Sequence, residues 1–126
     1  MLVTGGAGFM GSNFVNHVSS LHPETEIRVL DALTYAGDLH NLADVQEKID
    51  FVEGSICDPT LVSKLTAETD IVVNFAAESH NDNSLKSPRE FYETNVMGKP
   101  PPFKGDCQSA ASVLLHGMES WLSTFW

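Results

Sequence analysis

Basic residues are scarce in this chain: seven Lys and Arg stand against seventeen Asp and Glu in 126 residues, a formal charge of -10. Such a molecule repels polyanions at long range and lacks the positive footprint that nucleic-acid backbones require, so no nucleic-acid partner is expected. Cysteine is almost absent. Cys57 and Cys107 have no CxxC spacing and read as free thiols of a reducing compartment, which places the protein in the cytoplasm. No run approaches the ~18 apolar residues needed to span a bilayer, and the opening MLV lacks the basic region and apolar stretch of a secretory leader, so no membrane partner is expected. Tyrosine occurs only at Tyr35 and Tyr92. Internal repeats and low-complexity tracts are also missing, and no metal site is expected.

What remains is ordinary globular composition, 42 % apolar and 19 % charged. The length suits one domain with a core and is too short for a cofactor domain plus a full substrate domain. Residues 1–4 form an apolar run ended by glycines, and residues 13–21 then place Phe14, Val15, Val18 and Leu21 at helical spacing. A second short strand, EIRVLDA, ends in Asp31. Residues 41–49 read as a short helix, IDFVEGSICD as a third strand and its exit, and residues 59–68 as a helix with Pro59 in its first turn. DIVVNFAAE is a nearly unbroken apolar run, the pattern of a strand covered on both faces, and residues 88–96 read as the next helix.

Strands alternating with helices imply a parallel sheet, so the expected fold is α/β, a Rossmann-like doubly wound sheet of about four strands in the order 3-2-1-4. Its expected extent is residues 1–98. At Lys99 the character changes to KPPPFKGDCQ, which cannot continue a helix. In the tail, residues 99–126, Ala111, Leu114, Leu115, Met118, Leu122 and Phe125 recur at helical spacings. This stripe reads as a core helix, a partner-binding helix, or sequence unrelated to the fold, such as an out-of-frame or truncated end; the last is preferred.

Between the first strand and the first helix lies VTGGAGFMGSNF. Gly6, Gly8 and Gly11 fit GxGxxG, and Gly5, Gly8 and Gly11 fit GxxGxxG. Alone either pattern is weak, but Asp31 ends the next strand 20 residues after Gly11, close to the ~20-residue offset of a ribose-binding acid. In that setting Gly5 permits a tight turn, Gly8 removes the Cβ that would block a pyrophosphate, and Gly11 lets the helix approach the sheet. The charge of Asp31 would repel a 2′-phosphate and Ala32 supplies no cation, so NAD is favoured over NADP.

These segments, with LDALTYAGDLHNLADV, SICD, NFAAESHNDNS and FYETNVMG in this order and spacing, resemble the extended short-chain dehydrogenase/reductase family, and within it the dTDP-glucose 4,6-dehydratases. DALTYAG separates this pattern from that of a generic dinucleotide fold. The resemblance covers residues 1–98. It implies a lyase that converts dTDP-glucose to dTDP-4-keto-6-deoxyglucose by hydride transfer to NAD, water elimination and hydride return, with a homodimer in full-length relatives. It further implies that Phe9, Met10, Asp31, Ala32, Leu33, Thr34, Ile56, Phe75, Ala76, Ala77 and Thr94 line the NAD site, and that Ser79 reaches the sugar.

The chain departs from the family pattern at three places. Ser55 stands where the family has Asp and is a weaker acceptor for the adenine amino group. Asn81 and Asn83 replace a Val and an Arg, removing a cation. After Gly98 the catalytic Thr, Asp and Glu and the Tyr-x-x-x-Lys pair have no counterpart, so no catalytic residue is assigned and the chain is expected to be inactive. Two alternatives stay open: a nucleotide-sugar 4-epimerase fragment, against which DALTYAG followed by AAESH argues, and a non-catalytic NAD-binding or interaction module. Ser79, His80 and Glu78 are adjacent on a strand exit and point in different directions, so no triad is expected; His80 reads as a loop residue with local hydrogen bonds, and Glu78, with Asp82, as solvated or structural. Cys57, beside Asp58, lacks an activating cation.

Overall fold

The computed structural model describes residues 1–77 together with Arg89 and Thr94. Four strands, β1 (Leu2–Thr4), β2 (Ile27–Asp31), β3 (Ile49–Glu53) and β4 (Val72–Asn74), form one sheet in the order β3-β2-β1-β4. All three pairings are parallel, as expected, with Val3 opposite both Val29 and Val73, and Val29 opposite Phe51.

The two-residue period of the strands sends alternate side chains to opposite faces. One face carries Val3, Val29 and Val73 into a core with Ala7, Val15, Ile27, Leu42 and Val45, flanked by Phe14, Val18 and Phe51. The other carries Leu2, Leu30 and Val72 against Ile56, Val62 and Leu65. Helix α1 (Phe9–Leu21) covers the first face and α2 (Pro59–Ala67) the second. Each fully buried Val or Leu contributes roughly 1.5–3 kcal/mol. The exposed ion pairs of Arg28 with Asp50 (2.6 Å) and Glu68 (2.9 Å) add at most ~1 kcal/mol apiece. The two apolar layers therefore hold the sheet together.

Helix α1 begins four residues before the expected start, directly after Gly8, and ends at His22, where Pro23 prevents continuation. Gly11, Ser12 and Ser19 on its buried face are small enough for close approach to the sheet. Helix α2 matches expectation closely: Asp58 caps it by accepting the Thr60 and Leu61 N–H groups at 2.9 and 3.1 Å, and Pro59 occupies its first turn.

The helix expected over 41–49 is instead two 3₁₀ turns, Leu39–Leu42 and Gln46–Lys48. Leu42 and Val45, three apart, are both buried, and three residues per turn stack i and i+3 on one line. The fourth strand is also shorter than expected. Only Val72–Asn74 pair, because β1 offers just three partners before the chain turns at Gly5. The expected helix 88–96 and the tail 99–126 lie outside the described residues, apart from exposed Arg89 and half-buried Thr94.

Candidate functional site

Because the strands are parallel, Gly5, Asp31, Gly54 and Phe75 all leave the sheet at its carboxyl edge. Successive strands add to one side of β1 and then, at β4, to the other, so the crevice between the β1 and β4 exits is the switch point where open α/β sheets bind ligands. The glycine turn lies on one side of it and Phe75, Ala76 and Ala77 on the other. Phe75 N–H donates to the Thr4 carbonyl at 2.8 Å, the Thr4 hydroxyl donates to Asn74 Oδ1, and the Phe75 ring lies 5.3 Å from that of Phe14.

The glycines divide by what demands them. Gly5 has φ +68, and a Cβ there would sit 2.5 Å from the Ala76 nitrogen. At Gly6 a Cβ would meet Val29 Cγ1 at 2.6 Å, and at Gly11 it would run into the Gly5 carbonyl oxygen. Close packing therefore requires these three. Gly8 differs: φ -74 and ψ 170 suit any residue, and among the described residues a Cβ would find nothing nearer than Gly5 O at 3.4 Å and Ala36 O at 3.8 Å. Its missing side chain leaves room above the turn that no atom of the described residues fills.

Gly8 is also the N-cap of α1. No side chain of the described residues caps this end and no acid stands in the first turn; the first helical bond runs from Ser12 N–H to Gly8 O at 2.9 Å. The N–H groups of Phe9, Met10 and Gly11 thus face the crevice mouth without a protein partner among the described residues, beside the positive end of the helix dipole. Phe9 and Met10 themselves are 86 % and 59 % exposed.

Asp31 is 8 % exposed and accepts two backbone bonds: Oδ2 from Ala7 N–H at 2.8 Å and Oδ1 from Leu33 N–H at 2.9 Å. Leu33 is left-handed, with φ 47. The Asp31 carboxylate therefore ties the glycine turn to the loop after β2, and each oxygen keeps a second lone pair for a ligand. The Ala7 carbonyl in turn accepts from Asp38 N–H at 3.1 Å and Asn41 Nδ2 at 2.9 Å. Nothing in the sequence pattern marked this clamp. Asp38 itself accepts from the His40 N–H and then the His40 ring, which hold its carboxyl below the usual range.

Among residues 1–77 the Lys and Arg side chains are Arg28, Lys48 and Lys64. Arg28 and Lys48 stand at the amino ends of β2 and β3, and the paired carboxylates of Glu68 and Asp50 raise the Arg28 pKa further. Within residues 1–77, what the carboxyl edge offers an anion is the backbone dipoles of the turn and the helix N-terminus. Ala32 and Thr34 are exposed there beside Leu33, whereas Ile56 turns into the α2-side core with Leu30 and Val62. The Ser55 hydroxyl accepts the Cys57 N–H at 3.1 Å. Ser79, His80, Glu78 and Asp82 lie outside the described residues. Among the described residues there is no cluster of three metal-ligating side chains, and no helix is long and apolar enough to cross a membrane.

Sheet order, glycine turn and acid at the end of β2 together define a Rossmann-type protein of the short-chain dehydrogenase/reductase class. The family model described as GDP-mannose 4,6 dehydratase matches residues 2–100, and the chain belongs to that family. A dTDP-glucose 4,6-dehydratase of Mycobacterium tuberculosis (strain CDC 1551 / Oshkosh) is 57 % identical over 98 residues, covering 78 % of this chain and 30 % of the relative. The solved dTDP-glucose 4,6-dehydratase of Streptomyces venezuelae, with NAD and TYD bound, superposes with a TM-score of 0.70 at 47 % identity, over 77 % of this chain and 32 % of that one. The UDP-glucose 4-epimerase of Thermotoga maritima, with UDP-glucose, gives 0.69 at 30 % identity over 77 % and 30 %. The chain spans about 30 % of the length of the curated relatives it matches.

Proposed function

We propose that residues 1–98 are the NAD-binding unit of a nucleotide-sugar dehydratase, and that this polypeptide holds the cofactor without completing the reaction. The observation that carries the reading is Gly8, a glycine that neither its backbone conformation nor packing among the described residues requires, at a helix N-terminus that no side chain of the described residues caps. The donor set fits a pyrophosphate: backbone N–H groups of Phe9, Met10 and Gly11 with open space above Gly8. Asp31 would accept the adenosine ribose hydroxyls on its remaining lone pairs while bracing the turn beneath. Ala32, Leu33 and Thr34 would flank the adenosine half, and Phe75, Ala76, Ala77 and Thr94 the nicotinamide half, with Ile56 contributing through its backbone. Ser79 would meet the sugar.

When bound, NAD supplies a hydride acceptor. The dehydratase reading is preferred to the epimerase reading because the folds score alike, at 0.70 and 0.69, whereas identity separates them, 47 % against 30 %. dTDP-glucose is the preferred substrate of the whole enzyme on the same ground. Absence of turnover rests on the sequence, in which neither Tyr35 nor Tyr92 has a Lys four residues on.

Calorimetric titration of NAD into the chain and its Gly8→Ala variant tests this. Saturable binding is expected in the parent, at least about tenfold weaker in the variant, whose melting point stays close to the parent's. A folded parent that does not bind NAD, or release of 4-keto-6-deoxy sugar from dTDP-glucose, contradicts the corresponding half of the proposal.

A further inference from the structure

We propose that Asn41 is a positioning residue for the dinucleotide cradle, an inference that rests on the NAD reading. The Ala7–Gly8 peptide is the hinge between the glycine turn and the helix N-terminus. Its N–H end is tied back to the Gly5 carbonyl at 3.2 Å, and its carbonyl accepts from Asp38 N–H and from Asn41 Nδ2. Asn41 is the side chain that grips this carbonyl, from 34 residues away in sequence.

The grip is itself braced. Asn16, two turns into α1, donates from Nδ2 to the Asn41 carbonyl at 3.1 Å and to the Ser12 carbonyl at 2.9 Å. Beside Asn41, Leu42 is 1 % exposed and anchors the segment in the core. A closed circuit therefore runs from the glycine turn through Asn41 and Asn16 back to the first turn of α1. Rotation about the Ala7 Cα–C bond would turn this carbonyl and swing the Gly8 Cα, and with it the first donor N–H, at Phe9. Asn41 restrains that rotation without meeting the ligand.

The test uses the full 126-residue chain with Asn41→Ala, Asn41→Asp and Asn41→His, read by NAD calorimetry, thermal melts and amide resonances. Loss of one hydrogen bond to the carbonyl is expected to weaken NAD binding about fivefold in Asn41→Ala. Asn41→Asp, which sets a carboxylate against the carbonyl, is expected to be weaker still. Asn41→His, whose Nδ1–H stands at the same remove from the backbone as Nδ2, is expected to recover binding to within about twofold of the parent. In ligand-free Asn41→Ala the Ala7 and Gly8 amide resonances should shift. Parental affinity in Asn41→Ala, or no recovery in Asn41→His, overturns the proposal. Should Asn41→Ala fail to fold, the isosteric Asn41→Asp decides: parental affinity overturns the proposal and weakened affinity supports it. If the parent itself does not bind NAD, the functional reading falls, and unshifted Ala7 and Gly8 amides in Asn41→Ala would separately overturn this one.

Discussion

At Gly11 an added methyl group has nowhere to go: it would overlap the Gly5 carbonyl oxygen and lie 2.8 Å from the Gly6 Cα, both fixed backbone. Gly11→Ala must push α1 away from the turn, and overpacking of this kind costs about 1–3 kcal/mol. At Gly8 the same methyl meets only ordinary contacts, so Gly8→Ala should stay within about 1 kcal/mol of the parent. Urea unfolding of the two variants measures the contrast, and equal losses would show that the turn is not as tightly closed as described. Asp31→Ala is the poorer probe of binding, because it also frees the Ala7 and Leu33 N–H groups that the carboxylate holds. The glycine spacing and Asp31 were legible in the sequence because each motif residue sits at a fixed offset from a strand end. The second role of Asp31 and the grip of Asn41 were not. They are side-chain to backbone bonds across 24 and 34 residues, and no periodicity or cap pattern encodes such pairs.

Elements with a repeating apolar pattern were the readable ones. The four strands and α2 fall where runs of Val, Ile and Leu or an Asp-Pro start place them, and sheet order followed from their alternation with helices. The misread segment is 39–48, where the buried pair Leu42 and Val45 satisfies α and 3₁₀ spacing equally. Asp38 decides it locally: its carboxylate accepts the His40 N–H at 2.9 Å, which fixes the first 3₁₀ turn. That bond, then the His40 ring, lowers the Asp38 pKa from an ordinary 3.8. A carboxylate whose folded value is lowered stabilises the fold fully only above its unfolded value, and the gain is lost as pH falls through the folded one. The stability difference between the parent and Asp38→Asn should accordingly be constant from pH 7 to roughly pH 5 and shrink as the pH drops below about 4. Denaturant melts at stepped pH read it, and a difference independent of pH would remove Asp38 ionisation from the account.

Across the whole chain the formal charge is -10, yet the proposed ligand is an anion, with two phosphate charges and one nicotinamide cation. The carboxyl edge gathers Asp31, Asp38, Glu53 and Asp58, while Arg28 and Lys48 stand at the opposite edge of the sheet. On the proposed reading NAD would approach against the field of residues 1–77 and be held by them at short range, by helix and backbone dipoles that act within the first turn. Added salt has opposite effects on the two stages. At 0.02 M the Debye length is near 20 Å and the long-range repulsion is felt; at 0.5 M it is on the order of 4 Å and the repulsion is gone. With roughly 0.5–1 kcal/mol of screened repulsion removed, the association rate should rise on the order of threefold between these salt concentrations. A phosphate site lined with Lys or Arg shows the reverse. Stopped-flow mixing with NAD at stepped ionic strength measures the slope. A rate that falls with salt would mean that cations outside residues 1–77, such as Lys86 and Arg89, lie over the crevice and guide the ligand in.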